Sequence, residues 1–128
     1  RYITLIALVL SFAGVTYAQV GLATFYGKKF HNRKTASGEI YKRDSLVCAH
    51  KTYPFGTLLR VKNLHNDKEV IVKVIDRGPF SKKRIIDLSY AAARELDILR
   101  KGVGHVEIFE LIDSLQTLEI DSLHSIKK

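Results

Sequence analysis

The apolar residues between positions 22 and 111 come in short bursts, each closed by residues that favour turns. Bursts of this length suit strands better than helices. Leu22 to Tyr26, Leu46 to His50, Thr57 to Asn63, Glu69 to Ile75, Arg84 to Leu88 and Val103 to Leu111 each read as a strand. The third and fourth form a hairpin through His65-Asn66-Asp67-Lys68, because Asn and Asp tolerate the left-handed geometry of tight turns. Pro54-Phe55-Gly56 is a second turn. One helix is predicted over Tyr90 to Leu96, with Ser89 as its N-cap and three alanines that allow close packing. Six short strands in one small domain leave exposed edges unless the sheet closes. The pattern therefore predicts a mainly β chain, a small closed barrel carrying one short helix.

Polar residues at the ends of these strands are the candidates for chemistry. Val70 to Ile75 runs straight into Asp76-Arg77-Gly78-Pro79-Phe80, which fixes a carboxyl group where a strand gives way to a turn. Such an aspartate either caps the backbone of its own turn or serves as a general acid. Glu39 follows Gly38 in a polar loop, Lys28 to Arg43, whose length is typical of functional loops. It is either a solvated carboxylate or a second acid. His50 closes its strand and reads as a satisfied core histidine or as a site residue. Asp87, in Ile86-Asp87-Leu88-Ser89, is expected to support the site or the start of the helix. Cys48 is the single cysteine, so no internal disulfide forms. It reads as a buried inert thiol, with a thiolate paired to His50 as the alternative. The five histidines lack metal-ligand spacing, and no metal or cofactor is expected.

Several of these segments together carry a resemblance. Gly21-Leu22-Ala23-Thr24-Phe25-Tyr26-Gly27, Thr35-Ala36-Ser37-Gly38-Glu39, Ala49-His50, Pro54-Phe55-Gly56-Thr57, Asp76 to Phe80 and Arg84 to Ser89 occur in the order seen in the rare lipoprotein A family. The chain resembles that family from Gly21 to Leu111. The resemblance implies a six-stranded double-psi β-barrel, lytic transglycosylase activity on peptidoglycan and a distant similarity to expansins. It also implies that Asp76, Glu39 and His50 line the active groove as catalytic residues. Tyr26, Thr35, Arg77 and Phe80 are expected to bind substrate, with Tyr26 and Phe80 offering flat apolar faces to sugar rings or, equally, packing in the barrel. In the reaction so implied, the 6-hydroxyl of N-acetylmuramic acid attacks its own anomeric carbon. One carboxyl group, assigned to Asp76, protonates the leaving oxygen and takes up the hydroxyl proton. Glu39 would raise the pKa of Asp76 or stabilise charge on the ring, and His50 would orient a carboxyl group or the substrate. The alternatives are a non-catalytic, expansin-like wall-binding protein and a hydrolase on the same fold.

The ends of the chain read differently. Residues 1–18 carry an apolar run closed by Val15-Thr16-Tyr17-Ala18 and are expected to be a secretory signal peptide cut after Ala18. Residues 19–112 form the barrel domain and 113–128 a C-terminal tail. The formal net charge of +8 favours polyanionic partners. The cationic pairs lie scattered between turns without a nucleic-acid signature. The expected partner is peptidoglycan, met by a monomer without a stable membrane span, in the periplasm or cell envelope of a bacterium.

Overall fold

The computed structural model describes residues 18–111 and 122–126. Its strands are β1 (Gln19–Phe25), β2 (Val47–His50), β3 (Leu58–Asn63), β4 (Glu69–Asp76), β5 (Arg84–Leu88) and β6 (Gly104–Glu110). Helix α1 spans Tyr90–Glu95. A 3-10 turn at Lys28–Phe30 lies in the long loop after β1, an element with no local signal in the sequence. The strands close in the order β1-β5-β2-β4-β3-β6, with β6 hydrogen-bonded back to β1. Two pairs are parallel, β1 with β5 and β2 with β4, and the others are antiparallel. Each parallel pair requires a crossover, and the β2–β4 crossover contains β3 itself.

The core follows strand alternation. Leu59 and Val61 on β3, Val70, Val72 and Val74 on β4, Ile86 and Leu88 on β5, and Val106 and Ile108 on β6 fill the interior. Each such side chain contributes about 1.5–3 kcal/mol by leaving water. Helix α1 packs Ala92 and Ala93 against this core, and Leu96 and Ile98 follow them in. Ser89 caps the helix through its hydroxyl, which accepts from the Ala92 amide at 3.2 Å. Buried Asn63 ties β3 to the end of the helix by donating from Nδ2 to the Leu96 carbonyl at 2.8 Å. Gly21 is dictated by proximity, since a Cβ there would lie 2.6 Å from Cγ2 of Ile85.

The expected signal peptide lies outside the described residues except for Ala18. Of the expected tail, only 122–126 are described, as a short helical turn. Among the described residues no helix is long and apolar enough to cross a membrane.

Candidate functional site

The site begins with an irregularity in β4. Val47 pairs with Lys73 and Cys48 with Val74, but Ala49 pairs with Asp76, so β4 carries one residue more than β2 across this stretch. Val74 faces the core. The extra residue, Ile75, packs on the outer side with Tyr41, Val47 and Tyr26. Asp76 follows on that side. Regular alternation from Val70, Val72 and Val74 would have turned it inward; a bulge re-aims it.

Ala49 also pairs with Asp87 on β5, and Asp87 pairs with Thr24 on β1. Paired residues point to the same side of a sheet. Thr24, Asp87, Ala49 and Asp76 therefore form one row across four neighbouring strands. The backbones bearing the two carboxyl groups stand two strand spacings apart, about 10 Å. The small Ala49 between them leaves a trough. Gly78 borders it with φ of +133°, a conformation that strains any residue with a side chain. A Cβ there would sit 3.8 Å from Asp87 Oδ2 and 4.0 Å from the Ala49 Cβ.

Both carboxyl groups are held. Asp76 Oδ1 accepts from the amides of Ala36 and Arg77, each at 2.9 Å. Oδ2 accepts from the Tyr26 hydroxyl at 2.6 Å. The Tyr26 ring is wedged against Tyr41 and Phe30, with centroids 4.5 and 5.8 Å away. Burial, then the bond to Asp76, pushes the Tyr26 hydroxyl far above its usual range, so it acts as a neutral donor. Asp87 Oδ1 accepts from the Thr24 hydroxyl at 2.5 Å. Arg84 Nη1 in turn donates to Thr24 Oγ1 at 3.1 Å and lies 3.7 Å from Asp87.

The Glu39 loop lies against the same side. Ser37 N donates to the Ile75 carbonyl at 3.1 Å. The Thr35 hydroxyl lies 2.9 Å from that carbonyl and 2.6 Å from the Glu39 carbonyl, so it holds the loop in shape. The Glu39 carboxylate is half exposed and pairs with Lys73 Nζ at 3.0 Å.

His50 sits on the opposite side of β2 from Ala49, and only 2% of it is exposed. Its Nδ1 accepts from the amides of Thr52 (3.1 Å) and Tyr53 (3.2 Å). Nε2 must then carry the proton, and it donates to Gln19 Oε1 at 3.0 Å. Burial, reinforced by Arg77 and Lys51, pulls the imidazole down to about 4. His50 reaches the trough through its carbonyl, which accepts from Arg77 Nη1 at 3.3 Å. Arg77 donates also to the Tyr53 carbonyl at 2.8 Å, and its guanidinium lies 4.0 Å from the Phe55 ring centroid. Phe80 is 94% exposed. It flanks an open depression of about 390 Å³ shared with Lys51, Arg77, Pro79 and Lys82.

The structure thus brings Asp76, Asp87, Tyr26 and the Glu39 loop to one side, and places the His50 ring on the other. A larger depression of about 700 Å³ on the outer side of β3 and β4 carries none of these residues. Cys48 is buried, and its thiol is pushed far up by burial and then by Asp87, which makes it inert. Among the described residues no cluster of His, Cys, Asp and Glu could hold a metal. Thr24, Arg84, Lys73 and Tyr41 look like ordinary strand and loop residues in the sequence. Only their cross-strand neighbours mark them as part of the site.

A closed six-stranded barrel with two parallel crossovers and a carboxyl-lined trough on its outer side defines a double-psi β-barrel protein. A profile of the family described as "Lytic transglycolase" matches residues 18–108, and the chain belongs to this family. It is 56% identical over 96 residues to "Endolytic peptidoglycan transglycosylase RlpA" of Pasteurella multocida, covering 75% of this chain and 32% of that relative. The probable enzyme of the same name from Aquifex aeolicus is 57% identical over 83 residues, covering 65% of this chain and 37% of the relative. The chain thus spans about a third of the length of these curated relatives. Among solved structures, the Streptomyces papain inhibitor superposes with a TM-score of 0.57 at 27% identity, covering 73% of this chain and 94% of that one. A Clavibacter michiganensis expansin in complex with cellohexaose superposes at 0.61 and 20% identity, covering 76% of this chain and 52% of that one, a likeness of fold.

Proposed function

We propose that this barrel is an exported lytic transglycosylase that binds a peptidoglycan glycan strand along the trough. It cleaves the bond between N-acetylmuramic acid and N-acetylglucosamine and leaves 1,6-anhydro ends. The observation that carries the reading is the row Asp87-Ala49-Asp76, two held carboxyl groups flanking a small residue, in a chain so similar to transglycosylases. The signal peptide expected at residues 1–18 supports a reading of the protein as a monomer at work in the periplasm or envelope.

Asp76 is the acid and base. Its Oδ1 is occupied by two backbone amides, which can only donate. Its Oδ2 faces a hydroxyl, which can reverse and accept. Oδ2 is therefore the oxygen able to carry the proton. That proton passes to the leaving glycosidic oxygen as the bond to the anomeric carbon breaks. The 6-hydroxyl of the same muramic acid then bonds that carbon, and its proton returns to Oδ2. Asp87 supplies negative charge on the far side of Ala49, and Glu39 supplies more at the loop edge, where positive charge develops on the ring. His50 acts through its carbonyl on Arg77, and Phe80 offers its exposed face to a sugar.

Incubation of the full chain with purified glycan strands, followed by mass spectrometry, tests this. Anhydro-ended fragments are expected, and Asp76→Asn should abolish them. Undiminished product from Asp76→Asn would overturn the mechanism. Reducing ends would identify a hydrolase. Retention on insoluble peptidoglycan with no soluble product would identify an expansin-like binder.

A further inference from the structure

We infer that Lys73 is the positioning residue for Glu39, holding its carboxylate in the place from which it serves the trough. This rests on the reading that Glu39 takes part in glycan cleavage. Glu39 projects from an exposed loop whose backbone is fixed to β4 at three points: Thr35 Oγ1 and Ser37 N on the Ile75 carbonyl, and Ala36 N on Asp76 Oδ1. Those bonds place the Glu39 backbone and leave its side-chain torsions free. Lys73 supplies the missing constraint at 3.0 Å.

Its own base is rigid. Lys73 lies within β4, paired with Val47 on one side and Leu58 on the other. It stands three residues before Asp76, about 10 Å along the strand. One strand thus carries both the proposed acid and the anchor of the second carboxylate. Between them lie Val74 and Ile75, and it is to the Ile75 carbonyl that the loop is pinned. An exposed pair of this kind contributes little to folding. Its consequence therefore lies in the site.

The test uses the full chain and four variants: Lys73→Met, Lys73→Arg, Glu39→Gln and the double variant Glu39→Gln with Lys73→Met. Lys73→Met should lower kcat for anhydro product by about tenfold or more, with KM little changed, as expected for a displaced group. Lys73→Arg should restore most of that loss. Lys73→Met should cost nothing further in the Glu39→Gln background. Full activity in Lys73→Met beside an impaired Glu39→Gln overturns the role of Lys73 alone. Full activity in Glu39→Gln overturns the reading of Glu39, and the role of Lys73 with it. An equal loss from Lys73→Met in both backgrounds assigns Lys73 a contact of its own and also overturns the inference.

Discussion

The buried imidazole of His50 predicts an acid sensitivity that can be worked out. The perturbation is a fall in pH. In the folded chain the ring titrates at about 4, against 6.5 when exposed. The unfolded chain therefore takes up a proton that the folded chain refuses. Its contribution to stability is complete above pH 6.5 and is lost as pH falls toward 4. Each unit in that window is worth about 1.4 kcal/mol, so a shift from about pH 7 to about pH 5 removes roughly 2 kcal/mol through this residue. Other groups titrate over the same range, so the assay needs a reference. His50→Asn supplies one. Its side-chain oxygen can still accept from Thr52 and Tyr53, but it does not titrate. At neutral pH the variant should be less stable by about 1–3 kcal/mol, having lost the bond to Gln19 and packing on Tyr53. Urea unfolding of both proteins at the two pH values should show wild type losing about 2 kcal/mol more than the variant. A direct readout is the proton NMR titration of the ring. Equal losses in the two proteins, or a ring that titrates near 6.5, would refute the reasoning.

Two further predictions concern the barrel and its surface. Gly21→Ala pushes a methyl group to 2.6 Å from Ile85 Cγ2. It should cost about 1–3 kcal/mol, read as a fall in Tm by calorimetry. An unchanged Tm would mean that β1 and β5 sit further apart than described. Phe80→Ala removes a ring that is 94% exposed, so stability should change by less than about 0.5 kcal/mol. Retention on insoluble peptidoglycan should fall about fivefold, the scale of one lost stacking contact. Unaltered retention would remove Phe80 from the binding surface.

How much of this was legible in the sequence depended on how local the cause was. β5 and the cap of α1 were readable to the residue, because turn residues and a serine mark their ends. β4 ran one residue past its predicted end, to include Asp76. β1 begins at Gln19, earlier than its apolar run suggests, because pairing with β6 holds its first residues. The barrel order came from resemblance, since no short-range pattern says that β2 should lie beside both β4 and β5. The candidate site divides in the same way. Asp76 stood out at its strand end. That Asp87 shares a row with it depends on where Ala49 pairs, which is a matter of register. The side to which His50 points was present in the alternation Cys48-Ala49-His50, but its meaning required knowing that Ala49 faces the trough. Lys73 gave no signal, because a lysine on a half-exposed strand is unremarkable until its partner arrives from a loop more than thirty residues earlier.

The additional residue in β4 works like a shift of reading frame. Upstream of Ile75 the even-numbered positions 70, 72 and 74 address the interior; downstream, position 76 addresses the trough. Exchanging one side chain for another along this stretch leaves the frame intact. Ironing out the bulge at constant length would deliver the Asp76 carboxyl group into the hydrophobic interior, whereas removing Ile75 would keep that group outside but take away the carbonyl to which the Glu39 loop is pinned. Core and trough are two outputs of a single strand, and what separates them is the bulge more than the kind of residue on either side. The irregular pairing between Val74 and Asp76 is thus the feature this domain can least afford to lose.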